Sequence, residues 1–536
     1  MNRRGFLTQT LALGAGVIGG SGNVFAAPAT SMSKSVSQAG SPPGDVAGGL
    51  QFGPSRPFSY GALRARARAL AAQPYRSEPP PVPELIQSID FDLSQKVKFR
   101  PQCSLWPKGP GDYPVRFFHL NRYVGEPVRI HVVSGSASRE ILYSASCFDY
   151  GETGLEKKLP ADLGFSGFRV MNGPGEETDW LAFQGASYFR SSGAENQYGA
   201  SARGIAIDTA MPRPEEFPRF TDFWLDEAQG AHAVTIYALL DGPSIAGAYR
   251  IEAARADGAM MTIHAELFAR NGIERLGIAP LTSMFWYGKN IASRRVDWRP
   301  EIHDSDGLAL WTGKGERIWR PLNNPPRVQT NSFVDSNPKG FGLMQRDRNF
   351  DSYQDDGAFY NRRPGIWVEP LGTWGEGAVQ LVEIPTDDEI HDNIVAYWTP
   401  HAPVTRGGSL SFDYRLYWGS REPHPPALAH VIATRIGRGG IPGVPPPKDR
   451  HKFVVDFQGG PLATMAQRFD VTPVVTLSRG RIDNPYVIKV VGTQRWRAFF
   501  DIAFTGNEPI DMRCYLRLGE RTLSETWIYQ FFPPAA

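Results

Sequence analysis

From about residue 90 onward the apolar positions of the chain come in short bursts rather than long stripes. "PVRFFHL", "PVRIHVVSG", "REILYSASCFDYG", "DWLAFQGASYFRSSG", "AVTIYALLD" and "MMTIHAELFAR" are rich in β-branched and aromatic residues. Several alternate apolar and polar positions, and Gly, Pro or Asp bounds each one, which predicts half-buried strands. Their regular recurrence predicts a sandwich or barrel. There are no sustained heptads and no Gly-rich strand-to-helix phosphate loop, which argues against a nucleotide-binding α/β fold. One early segment differs. "YGALRARARALAAQPY" (Tyr60 to Tyr75) is rich in Ala, Leu and Arg and predicts a helix that Pro74 ends.

"TPHAPVTRGG" (Thr399 to Gly408) interrupts the pattern and reads as a linker. Seven short alternating runs follow it, beginning with "SLSFDYRLYWGS" and ending with "LSETWIYQFFPP". That number fits a small immunoglobulin-like sandwich. The expectation is an all-β protein with a large β-sandwich domain at 50–398, a linker at 399–408 and an immunoglobulin-like domain at 409–536. The crevice between two such domains is a natural ligand site.

The first 26 residues break the pattern in another way. "MNRRGFLTQTLALGAGVIGGSGNVFA" has a basic start with Arg3–Arg4, a weakly apolar Gly-rich run and a small-residue end. This is the form of a twin-arginine export signal and implies export in the folded state to a periplasm. The run falls short of the ~20 apolar residues that span a bilayer. Residues 27–49 are small, polar and Pro-rich and read as a disordered leader. Lys plus Arg number 57 against 55 Asp plus Glu, so nothing in the charge favours nucleic acid or an anionic membrane as partner. Aromatic residues make up 12% of the chain, which suits both sandwich cores and platforms for the apolar faces of sugars. Three cysteines, Cys103, Cys147 and Cys514, are too few for a disulfide framework. The residues favour three buried unreactive thiols, with a single bridge such as Cys103–Cys147 as the alternative.

The tetrapeptide EIHD occurs twice, in "RPEIHDSDGLALW" (Arg299 to Trp311) and in "PTDDEIHDNIVAYW" (Pro385 to Trp398). The first copy gathers Glu301, His303, Asp304 and Asp306. A metal loop is disfavoured, because an EF-hand starting at Asp304 would need Glu where Thr312 stands. Asp-Ser-Asp-Gly is also good turn chemistry. In the second copy Glu383, Asp387, Asp388 and Glu389 crowd Asp392, and like charges this close raise the pKa of one of them. Between the copies, Arg320 to Pro370 mixes Trp, Tyr, Phe, Arg, Asn and Asp, the composition of a polysaccharide groove. Trp298, Trp311, Tyr353, Trp367 and Arg203 are the candidates for holding sugar. No cofactor and no metal is called for.

The stretches "GFSGFRV", "FQGASYFR", "QYGASARGIAIDT", "EEFPRFTDFW", "LGIAPLTSMF", "EIHDSDGL", "RPLNNP", "NPKGFGLMQRDRNFDSYQD", "WVEPLGTWGEGAVQLVEIPT", "HDNIVAYW" and "SETWIYQFFPP" run in order from about residue 55 to 534. Together they closely resemble the periplasmic glucan biosynthesis family, the OpgG/OpgD proteins, and the twin-arginine leader sets the chain nearer the OpgD branch. The resemblance implies a galactose-mutarotase-like large domain and a role in making osmoregulated periplasmic glucans, whose backbone is β-1,2-linked glucose. It implies an inverting endo-β-1,2-glucanase with Asp392 as general acid, Asp304 as general base and Tyr360 of "FYNRRP" in the same centre. A transglycosylase that cyclises or branches the glucan, and a non-catalytic glucan-binding scaffold, stay open. A functional link to a membrane glucan synthase and a homodimer stay open as partners. "ATRIGRGGIPGVPPPKDRHKFVVDF" is shorter than in the family and lacks its aromatic residues, so water access can differ here.

Overall fold

The computed structural model describes residues 49–107, 113–227, 233–441, 443–447 and 449–533. The export signal expected at 1–26, and all but the last residue of the leader expected at 27–49, lie outside them. The predicted helix forms at Tyr60–Ala71, where the Ser59 side chain accepts a hydrogen bond from the Ala62 N–H at 3.2 Å. Leu63 and Ala67 face inward against Trp224, Leu239, Ala248 and Phe268. The Arg270 guanidinium donates to the Leu70 and Gln73 carbonyls at 2.9 and 2.8 Å, placing a cation at the negative end of the helix.

The fold is all-β. In the first large sheet Arg129–Ser134 lies parallel to Arg219–Glu227, and Ala233–Asp241, Ile245–Ala256 and Gly258–Ala269 follow in antiparallel order. The sheet continues through Ser409–Gly419, Gly365–Leu371, Gly340–Met344, Gly307–Trp311 and Arg317–Pro321. The second sheet runs in the order Gln329–Ser336, Glu376–Glu383, Ile394–Pro400, Leu276–Ser283, Ser201–Arg203, Tyr188–Ser191, Asp179–Gln184, Gly167–Met171, Val115–Phe118. Alternation along each strand sends one set of side chains between the sheets. Phe168, Phe183 and Phe189 stack at 5.1 and 4.9 Å on the second sheet, and Phe223 of the first meets Phe168 edge-on at 5.1 Å.

A smaller sandwich completes the chain. His430–Arg438, Arg450–Gln458, Trp496–Ala503 and Arg481–Lys489 form one sheet; Val471–Leu477, Ile510–Leu518 and Thr526–Phe531 form the other. Two corrections to the sequence reading follow. Ser409–Gly419, expected to open the small domain, instead sits between Gly258–Ala269 and Gly365–Leu371 in the large sheet. The residues expected as a linker, 399–408, therefore join two strands of the large sandwich, and the seventh strand of the small one is His430–Arg438. The two sandwiches are also welded together. Ile318 and Trp319 pair in parallel with Thr526 and Trp527, and Ala309, Trp319, Met344 and Trp367 share an apolar core with Val431, Phe453 and Trp527.

A third correction concerns the cysteines. Cys103 and Cys147 form a disulfide with Cα atoms 5.6 Å apart, and Cys514 alone is a buried thiol. The bridge closes a 44-residue separation beside the short ladder of Lys98–Phe99 with Phe148–Asp149. Cys103→Ser is expected to destabilise the protein by about 3–4 kcal/mol by freeing the unfolded chain, read as a lower denaturant midpoint with a steeper slope.

Candidate active site

Asp304 and Asp392 meet because both are fastened to one short piece of backbone, Met284–Phe285. The Asp304 N–H donates to the Met284 carbonyl at 2.8 Å. From the other side Asn393 accepts from the Phe285 N–H at 2.8 Å and donates to the carbonyls of Phe285 and Ile384 at 3.0 and 2.9 Å. Ile394 continues from Asn393 as a strand paired with Ser283. An amide side chain that replaces three backbone partners is a rigid clasp, and it orients the neighbouring Asp392.

The two carboxyls have different surroundings. Asp304 is fully buried; one oxygen forms an ion pair with Arg363, and Oδ2 meets no donor among the described residues. Asp392 is 5% exposed, and its pKa is pushed up to about 6. Burial is the larger cause and the Asp304 charge the second, against the opposing pull of Arg190, Arg203 and Arg363. The acids crowded around Asp392 in sequence are not the cause. Glu383 pairs with Arg320 at 2.9 Å and accepts from the Asn323 N–H at 2.7 Å. Glu389 takes both terminal nitrogens of Arg299, at 3.0 and 2.9 Å.

Tyr360 is buried beside the pair. The Arg363 guanidinium lies 4.0 Å from its ring centre, and its hydroxyl donates to Glu389. Burial raises its pKa far above the usual phenol range. Arg299 also binds Asp355 at 2.7 Å, whose other oxygen accepts from the N–H groups of Gly357 and Ala358 at 2.9 and 2.7 Å. Arg299, Glu389 and Asp355 thereby lock the loops around residues 299, 389 and 355–363 together. Gln345 ties in the opposite wall: its amide oxygen accepts from His303 Nδ1 at 2.9 Å, and its amide nitrogen donates to the carbonyls of His303 and Tyr360 at 2.9 and 3.1 Å.

The rest of each EIHD copy is structural. Glu301 bonds Lys289 Nζ at 2.7 Å and His303 at 3.3 Å. Asp306 accepts from the N–H groups of Arg346 and Asp347 at 3.0 and 2.9 Å, a segment some 40 residues away rather than the backbone of its own turn.

Of the sugar-holding candidates, Arg203 lies in the site, almost fully buried, paired with Glu215 at 2.8 Å and close enough to Asp392 to lower its pKa. Trp298 is 61% exposed next to Arg299. The other three are corrected. Trp367 is buried in the core shared by the two domains, where a Cβ at Gly340 would overlap its ring. Trp311 stands at the same junction with the Arg317 guanidinium 3.7 Å from its ring centre and His424 at 5.9 Å. Tyr353 is fully buried, packs on His303 at 5.2 Å and donates its hydroxyl to the Asp347 carbonyl. It supports the site from beneath and has no face to offer a sugar. Sequence reading passed over Arg190, Arg299, Gln345, Arg363 and Asn393 as parts of the site. The one signal for them was position within the quoted runs, Arg363 in "YNRRP" and Asn393 in "DNIVAYW".

The fold and this centre define a class: an all-β, two-sandwich protein with a buried, unequal carboxyl pair walled by arginines. Its sequence matches the model of the family described as "Periplasmic glucan biosynthesis protein, MdoG" over residues 58–531, and the chain belongs to that family. It is 51% identical over 499 residues to "Glucans biosynthesis protein D 2" of Ralstonia nicotianae, covering 90% of this chain and 92% of that one. It is 48% identical over 490 residues to "Glucans biosynthesis protein D" of Stenotrophomonas maltophilia, covering 91% and 92%. The like-named protein of Xanthomonas oryzae pv. oryzae is 48% identical over 492 residues, covering 91% and 92%. The family is a periplasmic one, and no helix among the described residues is long and apolar enough to cross a membrane.

Proposed function

We propose that the chain cleaves β-1,2-glucan internally, with inversion at the anomeric carbon, during periplasmic glucan biosynthesis. Asp392 protonates the leaving glycosidic oxygen and Asp304 accepts the proton of the attacking water. The observation that carries this reading is the unequal pair. Burial and a neighbouring carboxylate favour the neutral form of Asp392, while Asp304 is paired with the Arg363 guanidinium. Two carboxyls whose environments push them apart are an acid and a base. Tyr360 is held between Arg363 and Glu389 and orients the groups that pass the proton to Asp304. The polymer would come from a membrane glucan synthase.

The burial of both carboxyls also favours a second outcome, transfer to another sugar, because excluding water disfavours hydrolysis. Product analysis with linear β-1,2-glucan separates the readings. Short linear products whose new reducing ends appear first as the α-anomer support inverting hydrolysis. Cyclic or branched products indicate transglycosylation. Binding without turnover indicates a scaffold, and β-anomers sink the inverting assignment.

The acid also sets a pH dependence. The protonated fraction of Asp392 falls as pH rises through about 6. In the free enzyme, kcat/KM should therefore fall about tenfold per pH unit above that value. A flat profile between pH 6 and 8 would show that Asp392 is not the titrating acid.

A further inference from the structure

A hollow of about 530 Å³ opens on the other side of the large sandwich, where the C-terminal end of the helix Tyr60–Ala71 overhangs the first sheet. None of its lining residues belongs to the carboxyl centre. Five arginines and four carboxylates line it, together with Tyr75, Tyr143 and Pro74. Four of the five arginines are already paired. Arg66 and Arg129 share buried Asp222, at 3.3 and 2.9 Å, just behind the lining. Arg219 pairs with Glu126 at 3.0 Å and Arg270 with Asp241 at 2.7 Å. An ionic ligand would have to compete with these pairs. A neutral polyhydroxylated ligand would not, since its hydroxyls accept from the remaining guanidinium N–H groups and donate to carboxylates. The Tyr75 ring, braced by Arg270 at 5.6 Å, offers a flat face for the C–H side of a sugar.

A second observation points to a polymer. A neighbouring hollow of about 430 Å³ shares Val128 and Arg219 with the first and reaches Tyr188. Tyr188 faces the Arg203 guanidinium at 4.7 Å, and Arg203 is one of the arginines acting on Asp392. The second hollow thus runs from the helix-side hollow to Tyr188, whose ring packs on Arg203 beside Asp392. We propose that the helix-side hollow is a second glucan-binding site, which holds a distal stretch of the chain whose middle lies at Asp304 and Asp392. This rests on the reading of that centre as the place where glucan is bound. A second foothold converts later contacts into intramolecular ones and so favours long chains over short ones.

Hydrogen exchange on the Asp392→Asn protein, with and without polymeric β-1,2-glucan, tests both readings separately. The proposal expects slowed exchange at residues 73–78 as well as at 285–306 and 389–393. Slowing only at the latter two segments overturns the second site and leaves the proposed function standing. Slowing only at 73–78 overturns the reading of the carboxyl centre and with it a second site that extends from that centre; slowing at neither overturns both. In the Asp392→Asn background, Tyr75→Ala with Arg76→Glu should reduce the ratio of polymer affinity to short-oligosaccharide affinity roughly fivefold. A ratio that stays where it was overturns the second site.

Discussion

Asp392→Asn should lower turnover of β-1,2-glucan by about two to four orders of magnitude, the usual contribution of a positioned acid, and leave polymer binding in place. The same change should make the protein more stable at pH 7. The folded pKa of Asp392 is about 6 against the 3.8 usual for an aspartate, so between those values the folded state holds more protons than the unfolded one. Stability tied to this group is therefore fully present below about pH 4 and lost as pH rises through 6. At pH 7 the wild type carries a penalty on the order of 3 kcal/mol, from some two pKa units at a buried site. Asparagine carries no charge to bury, so the variant should unfold at a higher denaturant concentration than the wild type at pH 7 and lose that advantage near pH 4. Equal midpoints at pH 7 would mean that the site does not strain Asp392, and the acid assignment would lose its physical basis. A group that destabilises the fold while serving the reaction is the expected trade at a functional centre.

How far the sequence reveals this arrangement depends on how local each feature is. The helix at Tyr60–Ala71 and most strands were legible, because propensity and period are written in adjacent residues. Sheet membership is not written there. Ser409–Gly419 alternates like any strand, and only its partners 258–269 and 365–371 put it in the large sheet. His430–Arg438 was hidden by the Gly and Pro residues that follow it, which made the whole segment read as a loop. Trp367 looked like a sugar platform because nothing in its neighbourhood says that the small domain covers that face of the strand. The pairing of Asp304 with Asp392 came from family resemblance alone. Periodicity offered no route to it, since what joins the two aspartates is a shared attachment to the backbone at Met284 and Phe285, which residues far apart in sequence reach only in the fold. The arginines were missed for a related reason: a charged residue in a polar run reads as solvated until the fold buries it.

Arg363→Met should be strongly destabilising, because it removes the guanidinium that forms an ion pair with buried Asp304. Asp304 has no exposure to solvent through which water could replace that partner. An isolated buried carboxylate costs roughly 3–5 kcal/mol. Turnover should fall as well, since the same guanidinium lies 4.0 Å from the Tyr360 ring centre and braces it beside the carboxyl pair. Arg363→Lys should rescue little, because one ammonium cannot hold the carboxylate and cover the ring together. A double-mutant cycle with Asp304→Asn separates the electrostatic cost from the loss of packing. If the buried charge is the main term, adding Asp304→Asn to Arg363→Met should restore about 2 kcal/mol or more of stability while turnover stays abolished. Stabilities that simply add would mean that the two side chains do not interact, and Asp304 would then lack the cation that keeps it a base.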